Sequence, residues 1–275
     1  MRFAYFLPRI MVLPALLLVT VAAARAEQVT IQEPDGFLLR AALFRPAPGV
    51  PASASVVALH GCGGPYPSRD RQWAEVLTRA GHAVLFPDSF GSRGLGSQCR
   101  VRHRVASPAG KRRDDALAAA QWLSAQEWTP PGGVVLMGWS NGASTVLRAG
   151  QAGRGGTKGL LRGLIAFYPG CSSELRTPGW RPAAPLLILI GESDDWTPAA
   201  PCRALAAQVG TGLTLVTYPG AYHDFDVTRP VRVRHGMAYS QNADGSVHVG
   251  GNADARAAAL ARVPAFIEAL PPASQ

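Results

Sequence analysis

The sequence predicts an α/β fold with a mostly parallel central sheet, an N-terminal β-hairpin and helices on both faces. Three observations carry this. Short apolar runs at 55–59, 82–86, 134–137, 161–168, 185–190 and 213–218 read as buried strands. Stretches with helical spacing lie between several of them, at 70–80, 111–126 and 143–149, and strands alternating with helices in this way argue for parallel βαβ units. Several runs also lead straight into loops rich in Gly, Ser, Asp and His, and ligands of such sheets bind beyond the carboxyl ends of the strands.

Taken in order, residues 28–45 read as a hairpin: Val29-Thr30-Ile31, a turn at Glu33-Pro34-Asp35-Gly36, then an apolar return over 37–44. The strand at 55–59 runs into His60-Gly61-Cys62-Gly63-Gly64. The helix at 70–80 presents Trp73, Val76 and Leu77 on one face and stops at Gly81, and the next strand reaches Pro87-Asp88. Residues 89–108 form a loop long enough to expect a functional or mobile role. The helix at 111–126 turns Ala116, Leu117, Ala120 and Leu123 inward. After the strand at 134–137 comes Gly138-Trp139-Ser140-Asn141-Gly142, then small, helix-compatible residues to 149 and a flexible connection at 153–159. An amphipathic helix over 253–270 closes the chain. Neither an internal repeat nor a linker is visible, so 27–275 reads as one domain.

The first 26 residues have a different character. Arg2 and Arg9 precede an apolar stretch, and Ala24-Arg25-Ala26 stands ahead of Glu27. A basic start, an apolar centre and an Ala-x-Ala end predict a secretory signal peptide cleaved after Ala26, and export to the periplasm or beyond the cell. Pro14 and the shortness of the run argue against a membrane span, which needs roughly 20 apolar residues. Losing Arg2, Arg9 and Arg25 would lower the formal charge from +9 to +6. Basic residues gather at 93–104, 111–113 and 229–234, without the aromatic interleaving of a nucleic-acid-binding surface.

The four cysteines, Cys62, Cys99, Cys171 and Cys202, form no Cys-x-x-Cys pair, and no His-Glu-x-x-His occurs, so neither a metal nor another cofactor is expected. In an exported chain an even count predicts two disulfides. Three pairings are open. Cys62–Cys99 and Cys171–Cys202 are favoured because each pair would tie loops at the same strand ends.

Gly138-Trp139-Ser140-Asn141-Gly142 is a Gly-x-Ser-x-Gly turn between strand and helix, which holds a serine in a strained conformation suited to nucleophilic attack. A serine nucleophile needs a base, an orienting acid and oxyanion donors. The next strand ends supply them: Gly191-Glu192-Ser193-Asp194-Asp195-Trp196-Thr197-Pro198 follows 185–190, and Tyr222-His223-Asp224-Phe225 follows 213–218. Of the six histidines only His223 lies just after the last strand. His82 opens a strand at its far end, His103, His235 and His248 sit in loops, and His60 lies in the loop expected to border the oxyanion hole. Asp194 and Asp195 compete as the acid. The backbone N–H groups of Asn141 and, by position, Cys62 are the expected oxyanion donors. The chain order Ser, Asp, His is that of the α/β-hydrolases.

These motifs, with Leu59 ahead of His60 and with Asp88-Ser89-Phe90-Gly91-Ser92-Arg93-Gly94, resemble those of the dienelactone hydrolase family over residues 30–270. The resemblance implies hydrolysis of carboxylic esters or lactones through an acyl-enzyme, without metal or cofactor. It implies Asp194 as the acid, since family members with a Gly-x-x-Asp turn place it there. Well-known dienelactone hydrolases carry a cysteine nucleophile where this chain has Ser140, so a broader esterase is as well supported. Peptidases of the prolyl-oligopeptidase type share fold and triad order, but generally add a large domain that 249 residues do not accommodate. A binding protein on the same fold is the reading from another class. The substrate expected is a small ester or lactone, and arginines in 89–108 and 227–252, the segments expected to border the pocket, point to an anionic one.

Overall fold

The computed structural model describes residues 1, 26–47, 49, 50 and 52–271. Apart from its first and last residues, the expected signal peptide lies outside them. Glu27–Gln32 (β1) and Leu38–Phe44 (β2) form the expected hairpin. Then follow Ala54–Leu59 (β3), Pro67–Arg79 (α1), His82–Pro87 (β4), Lys111–Ser124 (α2), Val134–Trp139 (β5), Asn141–Ala149 (α3) and Leu161–Phe167 (β6). Ser172–Leu175 (α4), Leu186–Gly191 (β7), Ala199–Val209 (α5), Leu213–Tyr218 (β8), Arg232–Arg234 (β9), Val247–Val249 (β10) and Ala253–Glu268 (α6) complete the order.

Eight strands make one sheet in the order β1-β2-β4-β3-β5-β6-β7-β8. The hairpin joins antiparallel through β2–β4, and every pairing from β4 to β8 is parallel. Every residue of β3, β5 and β7 is buried, as a parallel strand covered on both faces requires. In β2, buried and more exposed positions alternate, because a strand near the sheet edge faces the core on one side only. Helix α1 packs on α6, and α2 on α3, as separate helical layers. This is the α/β-hydrolase fold.

Local pattern missed the elements whose signals are weakest. The apolar residues of α5 are mostly alanine, which marks no face. Strands β9 and β10 have three residues each, too few for a period of two to show. They place His248 in a strand, not in a loop as expected. They belong to the segment that closes over the carboxyl ends of the sheet. Val247 and Val249 pack there with Met237, Trp196, Cys62 and Cys99 in an apolar cluster apart from the main core. Both favoured disulfides are present: Cys62–Cys99 fastens the loop after β3 to the long 89–108 loop, and Cys171–Cys202 fastens the loop after β6 to α5.

Candidate active site

Strand β5 ends at Trp139 and α3 begins at Asn141, so Ser140 alone makes the reversal, with φ 54° and ψ −114°. Holding a non-glycine residue there costs about 1–3 kcal/mol, and the surroundings must impose it. Two glycines allow them to. A Cβ on Gly138 would lie 2.6 Å from the carbonyl carbon of Gly142, and one on Gly142 would lie 2.1 Å from the carbonyl oxygen of Leu59. The start of α3 is therefore packed directly against the end of β3.

From this turn the Ser140 hydroxyl lies 2.9 Å from His223 Nε2, and His223 Nδ1 lies 2.8 Å from Asp194 Oδ2. His223 is 1% and Asp194 4% exposed, so both sit in a medium where an ion pair is poorly screened. The Asp194 carboxylate accepts at Oδ1 from the backbone N–H groups of Trp196 and Thr197, and at Oδ2 from the Thr197 hydroxyl. These donors hold its orientation. Rings of Tyr168 and Trp196 flank the imidazole at 4.6 and 4.8 Å between centroids. Burial alone would push the His223 imidazole down, but the Asp194 carboxylate, by charge and by hydrogen bond, carries it above its ordinary value.

The loops bearing acid and histidine meet at Gly191, where a Cβ would lie 2.1 Å from the Ala221 carbonyl oxygen. Asp195 turns the other way. Its Oδ2 lies 2.8 Å from His248 Nδ1 and its Oδ1 accepts from the His248 backbone N–H. Of the two aspartates, Asp194 is the one that meets His223.

The backbone N–H groups of Cys62 and Asn141 have no hydrogen-bond partner among the described residues. Asn141 is the first residue of α3, where N–H groups are left without an intrahelical acceptor and the helix dipole favours negative charge. The Cys62 carbonyl accepts from Gln98 N–H at 2.7 Å, and with the disulfide this fixes the loop on two sides. His60 is 3% exposed, and its Nδ1 lies 2.8 Å from the Gly61 carbonyl oxygen. Burial, with Arg112 and Arg69 nearby, pushes its imidazole well down. It shapes the loop as a neutral ring.

Beneath the site, Asp226 is wholly buried and accepts from Trp73 Nε1, Trp139 Nε1 and the Tyr168 hydroxyl. One carboxylate thus joins α1, the end of β5, the end of β6 and the loop of His223. Above Ser140 opens a cavity of about 220 Å3 whose lining includes His223, Arg69, Arg229, Arg232 and Arg234. Arg69 is 4% exposed, its guanidinium 4.4 Å over the Trp139 ring. The segment 227–252 borders this cavity, whereas the 89–108 loop reaches it through Cys99.

Residues 39–269 match the family model of the dienelactone hydrolases. The chain belongs to the dienelactone hydrolase family. No curated protein matches it. Among solved structures, the chain is similar to a dienelactone hydrolase from Anabaena variabilis, with 21% identity, TM-score 0.63, and 91% of this chain and 100% of that one covered. It is also similar to Thermogutta terrifontis esterase 2 phosphoramylated by tabun, with 18% identity, TM-score 0.60, and coverage of 88% and 93%. For dipeptidyl peptidase 4 of Porphyromonas gingivalis the identity is 17% and the TM-score 0.61, with 91% of this chain but 36% of the peptidase covered. At these identities the structures share the fold.

Within this family frame, sequence reasoning missed the groups that hold the site from behind. Thr197 stood inside a quoted motif, but only the fold brings its hydroxyl to Asp194. Asp226 and Arg112 carried no local signal. Both are charged side chains buried by packing that spans distant parts of the chain.

Proposed function

We propose that this dienelactone hydrolase family member is an exported serine hydrolase that cleaves carboxylic esters or lactones through an acyl-enzyme. The observation that carries the reading is the hydrogen-bonded chain Ser140–His223–Asp194, in which His223 and Asp194 are buried, with the N–H groups of Asn141 and Cys62 unpartnered beside it. In the first step His223 Nε2 takes the Ser140 proton as Oγ attacks the carbonyl. Negative charge grows on the carbonyl oxygen, where the two N–H groups donate. Collapse expels the alcohol, protonated by His223. Water, deprotonated by His223, then attacks the acyl-enzyme, and the acid leaves with Ser140 restored. Asp194 holds the imidazole in the tautomer that leaves Nε2 free to accept.

Arg69, Arg229, Arg232 and Arg234 around the cavity favour a substrate bearing a negative charge. Two disulfides are compatible with an oxidising compartment, which supports export. Among the described residues no helix is long and apolar enough to cross a membrane.

The test is a panel of p-nitrophenyl esters, lactones and peptides, neutral and carboxylate-bearing, with wild type and Ser140→Ala. We expect ester or lactone turnover that Ser140→Ala abolishes, and covalent labelling by a fluorophosphonate in wild type alone. Turnover that survives Ser140→Ala, or a wild-type protein that takes no label, defeats the reading.

A further inference from the structure

Arg112, on the first turn of α2, belongs to none of the motifs that define the site, yet it is 1% exposed and lies directly behind it. Its Nη2 donates to the His60 carbonyl oxygen at 2.7 Å, and its Nη1 donates to the Asn141 side-chain oxygen. The Phe90 ring lies 4.9 Å from the guanidinium carbon and limits its position. His60 is two residues before Cys62, and Asn141 itself carries the other expected oxyanion donor. One rigid fork thus fastens both loops whose N–H groups would meet the oxyanion. The close approach of Gly142 to the Leu59 and His60 carbonyls sets their separation, and Arg112 sets their orientation.

The charge is unusual too. The carboxylate that acts most strongly on it, Asp115, is occupied by a bidentate pair with Arg93 at 2.7 and 2.8 Å. No carboxylate among the described residues lies within 4 Å of Arg112. Its Nε has no partner. Burying a cation without a counter-ion costs several kcal/mol, and packing alone offers no return for it. Burial pulls the guanidinium below its ordinary value, but an arginine remains charged in proteins. A positive charge fixed behind two donors is complementary to an oxygen that becomes negative only as the bond forms, so it favours the transition state over the bound ester.

We propose that Arg112 is a positioning residue for the oxyanion hole: its fork aligns the Cys62 and Asn141 N–H groups, and its charge strengthens them. This rests on the reading of Ser140 as nucleophile. The experiment compares an ester with its thiono analogue, in which sulfur replaces the carbonyl oxygen. Sulfur is larger and a poor acceptor, so an aligned oxyanion hole discriminates strongly between the two, and general damage to the fold would slow both alike.

For Arg112→Met we expect kcat for the ester to fall about 10²-fold, the size of losing one oxyanion donor. KM should stay within about threefold, and the ester-to-thionoester ratio should drop at least about tenfold. Arg112→Lys, which keeps charge but cannot span both acceptors, should fall between wild type and Arg112→Met. Should Arg112→Met not fold, Arg112→Lys and Asn141→Ala, each removing part of the tether, must lower the same ratio. An unchanged ratio in the folded variants overturns the role of Arg112 while Ser140-dependent turnover stands. Turnover that survives Ser140→Ala overturns both proposals.

Discussion

Two neighbouring aspartates each meet a histidine at the same distance, 2.8 Å, and the pairs differ in almost everything else. Asp194 and His223 are nearly solvent-free, with side-chain exposures of 0% and 1%, whereas those of Asp195 and His248 are 25% and 40%. The inner imidazole is packed between Tyr168 and Trp196 and offers its second nitrogen to Ser140. The outer one stacks on Tyr222 and belongs to β10, so Asp195 fastens the β9–β10 hairpin to the acid loop. An ion-pair distance therefore says little about role. Exclusion of water and the atom that the far nitrogen reaches set the two apart.

Breaking the inner chain should have the largest effect. Ser140→Ala or His223→Ala is expected to lower kcat by about 10⁶, as when a nucleophile–base unit is dismantled, and Asp194→Asn by roughly 10⁴, with the protein still folded by circular dichroism. If Asp195→Asn matched Asp194→Asn in steady-state assays, the assignment of the two pairs would be reversed.

The pH profile sharpens the same contrast. In the proposed mechanism His223 must be neutral to accept the Ser140 proton, and its imidazole is raised above its ordinary value. The rate should therefore rise with pH through a limb lying above the ordinary histidine range. In Asp194→Asn burial acts without the opposing carboxylate, so the limb in residual kcat/KM should move to lower pH. Asp195→Asn should leave it nearly in place. A limb unmoved by Asp194→Asn would show that another group controls it.

The disulfides extend the comparison from side chains to loops. Cys62–Cys99 borders the cavity, and Cys171–Cys202 is buried in the main core. Removing either pair as a double alanine variant should cost about 2–4 kcal/mol in denaturant unfolding. Only the Cys62/Cys99 variant should also lose kcat, by about tenfold, because it frees the loop proposed to carry an oxyanion donor. Equal kcat in both variants would count against that loop's role. The smallest effect belongs to the outer pair. Asp195→Asn should cost roughly 0–1 kcal/mol, as exposed ion pairs do. It should change KM more than kcat, since the hairpin it holds carries Arg232 and Arg234 into the cavity.

Much of this was open to a reader of the sequence. Buried parallel strands are nearly continuous apolar runs, so β3, β5 and β7 announce themselves, and a Gly-x-Ser-x-Gly turn after such a run has few structural meanings. The order of the Ser, Asp and His motifs carried the fold family, because each must stand at a strand end. Adjacent aspartates share one local context, however, so only the family's Gly-x-x-Asp pattern favoured Asp194, and no physical signal in the sequence said which side chain turns inward. Contact between Gly191 and Ala221, and the N–H groups of Trp196 and Thr197, made that choice.

By itself, then, the sequence determined the strands, the turns at their ends and the chemistry those turns carry, since these depend on residue type and on periods a few residues long. Tertiary structure alone decided that Asp195 turns away to His248, that Asp226 joins four distant segments, and that Arg112 sits buried behind Asn141. Burial and hydrogen-bond partnership are made between residues far apart in the chain, as for Trp73 and Asp226, 153 positions apart. No local pattern records such pairings, because the energy that selects them exists only once the elements have packed.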